Sequence, residues 1–161
     1  MTEPFDPPGE PWVRVSPKLA TMRRLLNIGA GAVLLVGLTV LAAMASTWAA
    51  VVVAVLGVAA LGWGWVVVGR SVRSWGYAER AEDLLVTRGV LNRQLVVVPY
   101  GRMQFVDVQA GPLDQRFGIA SVTLHTASTE TAATIPGLPA AEAARLRDQL
   151  TEMGVSHDAG L

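Results

Sequence analysis

Two uninterrupted apolar runs, Leu25 to Ala45 and Trp48 to Val68, stand back to back across a Ser46-Thr47 break, and neither contains a charged residue. A helix needs roughly 20 apolar residues to cross a ~30 Å hydrocarbon core, and a chain in lipid has to satisfy its backbone polar groups within itself. Both runs meet these conditions as helices. They predict a transmembrane hairpin over residues 21–69, with spans at 25–45 and 48–68.

Lys18, Arg23 and Arg24 precede the first run, Arg70 and Arg73 follow the second, and the connection between the runs has no basic residue. The positive-inside rule therefore predicts a multi-pass protein of the bacterial cytoplasmic (inner) membrane with both termini cytoplasmic. Trp48 at the outer end, with Trp63 and Trp65 toward the inner end, suits indoles at the two headgroup levels. A secretory signal is the competing reading, since Ala43-Met44-Ala45 before Ser46 resembles a cleavage site. The first run is longer than the ~7 to 15 residues of a signal core, and a second run follows at once, which favours the hairpin.

With about a third of 161 residues in the bilayer, the remainder suffices for one small domain and not for a large catalytic one. From Arg70 onward there are nine Arg against ten Asp plus Glu. That balance leaves no basic footprint for nucleic acid and only a weak aggregate pull toward anionic lipid. Cysteine is absent, which excludes disulfides, thiolate nucleophiles and cysteine metal sites.

Pro4, Pro7, Pro8, Pro11 and Pro17 with Gly9 predict a disordered, extended cytoplasmic tail over residues 1–20, in which Trp12 and Val13 are loosely held. After the hairpin, short strands are expected at Trp75 to Ala81, Asp83 to Thr87, Val90 to Val98, Arg102 to Gln109, Ile119 to Thr126 and Ala133 to Ile135. Gly89 turns the chain between the second and third, and Pro99 ends the third. Alternation in Arg102 to Gln109 puts Val106 and Val108 on one face and Phe105 and Asp107 on the other, the pattern of a half-buried antiparallel sheet. Pro136-Gly137-Leu138-Pro139 is expected to stop the last strand. From Ala140 to Met153 the period becomes helical, with Ala143, Leu146, Leu150 and Met153 in one stripe. Gly154 is expected to end that helix, leaving 155–161 as a loose tail.

A small antiparallel barrel or sandwich, capped by a C-terminal α-helix that fills its open end, accounts for this order. The fold class is then an α+β membrane protein: a two-helix transmembrane hairpin followed by a PH-like domain over residues 75–154. Three blocks carry a specific likeness: Asp83 to Val90, Val98 to Val108, and Gly111-Pro112-Leu113-Asp114-Gln115-Arg116-Phe117-Gly118 running on to Val122. In these blocks and their spacing the chain closely resembles the membrane-anchored bacterial pleckstrin-homology-like family. The resemblance implies a non-enzymatic membrane scaffold. Within the third block, Leu113 and Phe117 are expected to pack inward from a single helical turn, and Arg116 to pair with Asp107 or Asp114.

Catalytic constellations are thin, so no catalytic, metal or cofactor residue is assigned and no cofactor is expected. His125 and His157 lie on different elements, and no glycine-rich loop has phosphate-binding spacing. Glu79, Glu82 and Asp83 are expected to be a solvated edge or to pair with Arg80 and Arg88. In the second span Ala50, Ala54, Gly57 and Gly64 form a small-residue stripe for helix packing, with Gly37 and Ala30 as candidate facing positions. No ionisable residue lies in either span, which disfavours a pump or channel.

Two functions fit best. The first is an interaction or scaffold module on the cytoplasmic face, assembling with another membrane protein that carries related PH-like domains, or with itself, and contacting membrane lipids but no nucleic acid. The second is a phospholipid-headgroup sensor. Candidate lipid or partner contacts are Arg70, Arg73, Arg88, Arg93, Arg102 and Arg116. A sensor needs several of these to converge, whereas a partner-binding module needs an exposed apolar or unpaired sheet edge.

Overall fold

The computed structural model describes residues 11–126 and 132–158, with side chains through Val155. It divides into two compact units: Ala20–Arg70, and the chain on either side of that segment.

Two helices, α1 (Pro17–Ala45) and α2 (Thr47–Arg73), are separated by Ser46 alone. Ser46 ends one and starts the other: its Oγ accepts the Ala49 N–H at 3.1 Å and so satisfies a donor of the first turn of α2. Lengths of 29 and 27 residues give helices about 40 Å long at 1.5 Å per residue. Each is long enough to cross ~30 Å of hydrocarbon and outruns its charge-free run, α1 with Lys18, Arg23 and Arg24 ahead of it and α2 with Arg70 and Arg73 after it.

Within the helical unit, side-chain knobs of one helix enter gaps left by glycines of the other. A β-carbon on Gly57 would collide with the Leu35 side chain, and one on Gly31 with Leu61. At Gly64 it would lie 2.9 Å from Asn27 Oδ1. Ala50 and Ala54 are half-buried on the same stripe. The facing surface of α1 is Gly31, Leu35 and Thr39, correcting the expectation of Gly37 and Ala30: nothing lies within 4 Å of a β-carbon at Gly37, and Ala30 is exposed. Toward the other end, Arg24 lays its guanidinium 4.6 Å from the Trp65 ring centroid and donates from Nε to the Trp65 carbonyl at 3.3 Å.

The second unit holds β1 (Val13–Arg14), β2 (Gly76–Glu79), β3 (Asp83–Arg88), β4 (Gln94–Pro99), β5 (Met103–Gln109), α3 (Pro112–Phe117), β6 (Ile119–Thr126), β7 (Ala133–Pro139) and α4 (Ala140–Asp158). All pairing is antiparallel, in sheets of order β1-β2-β3-β4 and β5-β6-β7. The two sheets do not join into a closed barrel: a 3-10 turn at Tyr100–Arg102 carries the chain from one to the other. Gly89, with φ +103, starts the β3–β4 turn in a conformation that disfavours any side chain. Gly118, with φ +66, ends α3 in the left-handed cap that lets β6 reverse direction.

Register puts Val86 beside Tyr77, and Val106 and Val108 beside Leu124 and Val122. These sides line the core with Leu84, Val98, Tyr100, Ile119, Ile135 and Leu138. Ala143, Leu146 and Leu150 of α4 are buried too, so the stripe read from their spacing is the face that packs on β5, β6 and β7.

Five local expectations give way to tertiary context. Residues 11–20 are not loose: Val13 and Arg14 add an edge strand to β2, the Ser16 N–H donates to the Gly137 carbonyl at 2.9 Å, and Val15 and Leu19 are buried. The third strand begins at Gln94, because Val90 to Arg93 make the turn. β7 continues through Pro136 to Pro139, since an edge strand can spare the missing N–H. Helix α4 passes through Gly154 and runs to Asp158, absorbing a cost of about 1 kcal/mol relative to Ala. Finally, Leu113 is 44% exposed and Phe117 only half-buried, so α3 serves as a turn and not as a core plug.

Candidate functional site

Three places bring functional side chains together. The first is a polar cluster where α4 meets β2. The Tyr77 hydroxyl donates to Glu142 Oε1 at 2.7 Å, and Arg145 Nη2 reaches both Glu142 Oε1 and Glu79 Oε1 at 2.6 Å. Glu79 thus partners a helix residue, while Asp83 pairs with Arg80 at 3.9 Å as expected. The hydrogen bond from Arg145, and then that from Tyr77, hold the Glu142 carboxyl below its ordinary value. Burial first, and then Glu142, push the Tyr77 phenol up. One guanidinium bridges a carboxylate of the sheet and one of the helix, and the phenol joins the second, so the cluster fastens the helix to the sheet.

The second is the set of arginines, all exposed in the structure. Arg88 and Arg93 flank one turn. Arg88 donates from Nε and Nη2 to Gln94 Oε1 at 2.9 and 2.7 Å, and its guanidinium lies 5.9 Å from the Trp75 ring centroid. Arg73 ends α2, where its carbonyl accepts from Arg14 at 3.2 Å. Arg102 is at the other end of β4 from Arg93, six strand residues or roughly 20 Å away. Arg116 sits in the β5–β6 connection, and among the described residues it pairs with neither Asp107 nor Asp114. Asp114 instead accepts the Gly111 N–H at 3.0 Å and Asp107 accepts from Gln109 at 2.6 Å. Arg88 and Arg93 share one turn, and Arg102 and Arg116 lie elsewhere. Arg70 belongs to the helical unit.

The third is an open cleft of about 550 Å³ between β5 and the last turns of α4. Met103, Gln104, Phe105 and Val106 line one side, Leu150, Thr151, Gly154 and Val155 the other, and Gly101 one end. Among the described residues β5 pairs only with β6, so its other edge is unpaired. Phe105 is 57% and Val155 65% exposed. A break in register between Met103 and Phe105 sets Phe105 against His125, the rings stacked at 4.2 Å. The cleft exists because α4 continues past Gly154, where the local sequence favours a helix stop. The available signal was Phe105, an aromatic on the otherwise polar face of its strand.

Among the described residues no group of three or more His, Asp or Glu is placed to hold a metal ion. Two small antiparallel sheets packed on a C-terminal helix, with two bilayer-length helices ahead of them, define a membrane-tethered PH-like protein. The chain belongs to the Bacterial PH domain family, whose model matches residues 25–154, so the match takes in both apolar runs and strands β2 to β7. The UPF0699 transmembrane protein YdbS of Bacillus subtilis (strain 168) is 34% identical over 79 residues, 49% of this chain. The match spans 48% of that relative's own length. A DUF1696 family protein with a pleckstrin-homology domain from Shewanella loihica is similar in structure at a TM-score of 0.39 and 11% identity, over 50% of this chain and 70% of that one.

Proposed function

We propose that this chain is a non-enzymatic docking module of the bacterial cytoplasmic membrane. Its helical hairpin stands with both termini inside, and its PH-like domain takes an extended apolar segment of another membrane protein against the free edge of β5. The observation that carries this reading is the unpaired β5 backbone beside a cleft whose exposed members are apolar, Phe105 and Val155. An open strand edge offers main-chain donors and acceptors in register, and flanking apolar side chains supply specificity for a strand laid beside it. The near balance of nine Arg against ten acids beyond the hairpin argues for a partner recognised by shape and not by charge.

The test places a photo-crosslinking amino acid at Phe105 in the full chain in native membranes. A discrete protein adduct is expected, lost in Gly154→Leu, which fills the cleft from the α4 side. A β-carbon at Gly154 meets only Met103, at 4.0 Å, so the helix tolerates the change. The adduct should survive a rise from about 0.1 to about 1 M salt, which shortens the screening length from about 10 to about 3 Å. Tight, salt-sensitive binding to one anionic headgroup, with no protein adduct, would replace this reading with the headgroup-sensor one.

A further inference from the structure

Arg24 stands immediately before the first apolar run, and Trp65 stands three residues before the end of the second. In a hairpin that crosses a bilayer both therefore lie at the edge of the hydrocarbon. At this level α1 lays a charged side chain across α2. The Arg24 guanidinium is 4.6 Å from the Trp65 ring centroid, and its Nε donates to the Trp65 carbonyl at 3.3 Å. A carbonyl inside a helix is normally covered by the side chain one turn further on, because helical side chains lean toward the N-terminus. Here that residue is Gly69, and a β-carbon on it would collide with Arg24 Nη2. Glycine thus opens the groove in which the guanidinium rests. Asn27, three residues along α1, rests against Gly64, so Arg24 belongs to the packed face of the hairpin.

This geometry holds the charge in place without neutralising it. The Trp65 carbonyl takes the Nε proton and the indole takes one face of the plane, while among the described residues the Nη N–H groups have no acceptor. The helical unit, Ala20–Arg70, contains no Asp or Glu, and Arg23 and Arg70, next in the chain to Arg24 and Gly69, add further positive charge. A half-buried guanidinium calls for an anion, since a charge withdrawn from water is costly until it is paired. The anion found at that level of a bilayer is the lipid phosphate, whose oxygens match the parallel N–H groups of an arginine fork. We propose that Arg24, held by Trp65 and Gly69, is a binding site for the phosphate of one anionic phospholipid, with Arg23 and Arg70 favouring a lipid of net negative charge. The site belongs to the hairpin alone. It is independent of what docks at β5 and of the arginines of the sheet unit.

Native mass spectrometry of the full chain, released from detergent micelles doped with phosphatidylglycerol or phosphatidylcholine, counts the lipids it retains. One phosphatidylglycerol should be kept about tenfold more than phosphatidylcholine, the scale of a charge-assisted hydrogen bond. Arg24→Gln should abolish this preference. Arg24→Lys preserves the charge but neither the fork nor the stack, and should lose most of it. Replacing Arg88 and Arg93 of the sheet unit together by Gln should leave it unchanged, and so should an excess of inorganic phosphate. The comparison of the two lipids on the unaltered chain does not depend on the folding of any variant. Equal retention of both lipids overturns the proposal. So does a preference that survives Arg24→Gln or is kept in full by Arg24→Lys. A preference lost with Arg88 and Arg93 would move the site to the sheets, and one erased by inorganic phosphate would make it a site for free anions, and either result overturns the proposal as well.

Discussion

Arg145 of α4 holds Glu79 of β2 at 2.6 Å, closing a loop of 66 residues with one ion pair. Nothing local brings these residues together. The contact exists because Leu146 and Leu150 on the adjacent face are drawn under the sheets, and the helix then has one rotational setting in which Arg145 reaches both Glu79 and Glu142.

That geometry sets the size of the pair's effect. The Arg145 side chain is nearly half exposed, so solvent screening keeps its coupling to Glu79 near 0.2 to 1 kcal/mol in a double-mutant cycle read by denaturant unfolding. Tyr77→Phe removes a hydrogen bond to a carboxylate and should cost about 1 to 2 kcal/mol. A coupling of zero with full loss in each single variant would mean that Arg145 acts through Glu142 alone.

Core burial is worth more. Leu146→Ala and Leu150→Ala should each destabilise the sheet unit by about 2 to 5 kcal/mol, because both side chains are at most 1% exposed. Glu152→Ala on the exposed side should shift the unfolding midpoint very little. Equal effects at all three sites would show that α4 is not docked.

The pH dependence has two limbs. Arg145 and Tyr77 hold Glu142 below the ordinary 4.5, so the folded state resists protonating it. Its contribution is present above that pH and is lost as pH falls through the lower folded value. Burial, then Glu79 and Asp83, push the Tyr100 phenol up to about 12 from 10.0. Its contribution is complete below pH 10 and is lost as pH rises through about 12. Thermal unfolding against pH should show both limbs, with Glu142→Gln flattening the acid one and Tyr100→Phe reducing the alkaline one, to which the raised Tyr77 phenol also contributes.

In the helical unit, Gly57→Val should weaken α1–α2 packing by about 1 to 3 kcal/mol, since the added methyls overlap Leu35. Gly37→Val faces open space and should be neutral. Proximity of labels on the two helices in detergent reads both, and a matching loss from the two variants would place the interface elsewhere.

For topology, a cysteine at Ser46 should react with a membrane-impermeant reagent from outside and one at Glu152 should not. The reverse pattern would invert the assigned orientation.

The apolar runs, the hairpin between them, the antiparallel sheet character and the buried stripe of α4 could all be read directly from the order of residues. Each rests on a periodicity or a run length that local sequence carries in full: 20 apolar residues, alternation in two, or recurrence at three and four. What the sequence left open depended on partners far along the chain. Val13 and Arg14 became a strand because the β2 edge was there to pair with, and Pro136 stayed in β7 because that strand lies at an edge. Gly154 remained helical because α4 continues along β5, and Gly31 and Leu35 became the facing surface of α1 because α2 offers Leu61 and Gly57 there. The β5 cleft and the seat of Arg24 on Trp65 and Gly69 arise only when separate segments meet. Propensity at each site was a weak prior, and packing and hydrogen-bond completion across the fold overrode it.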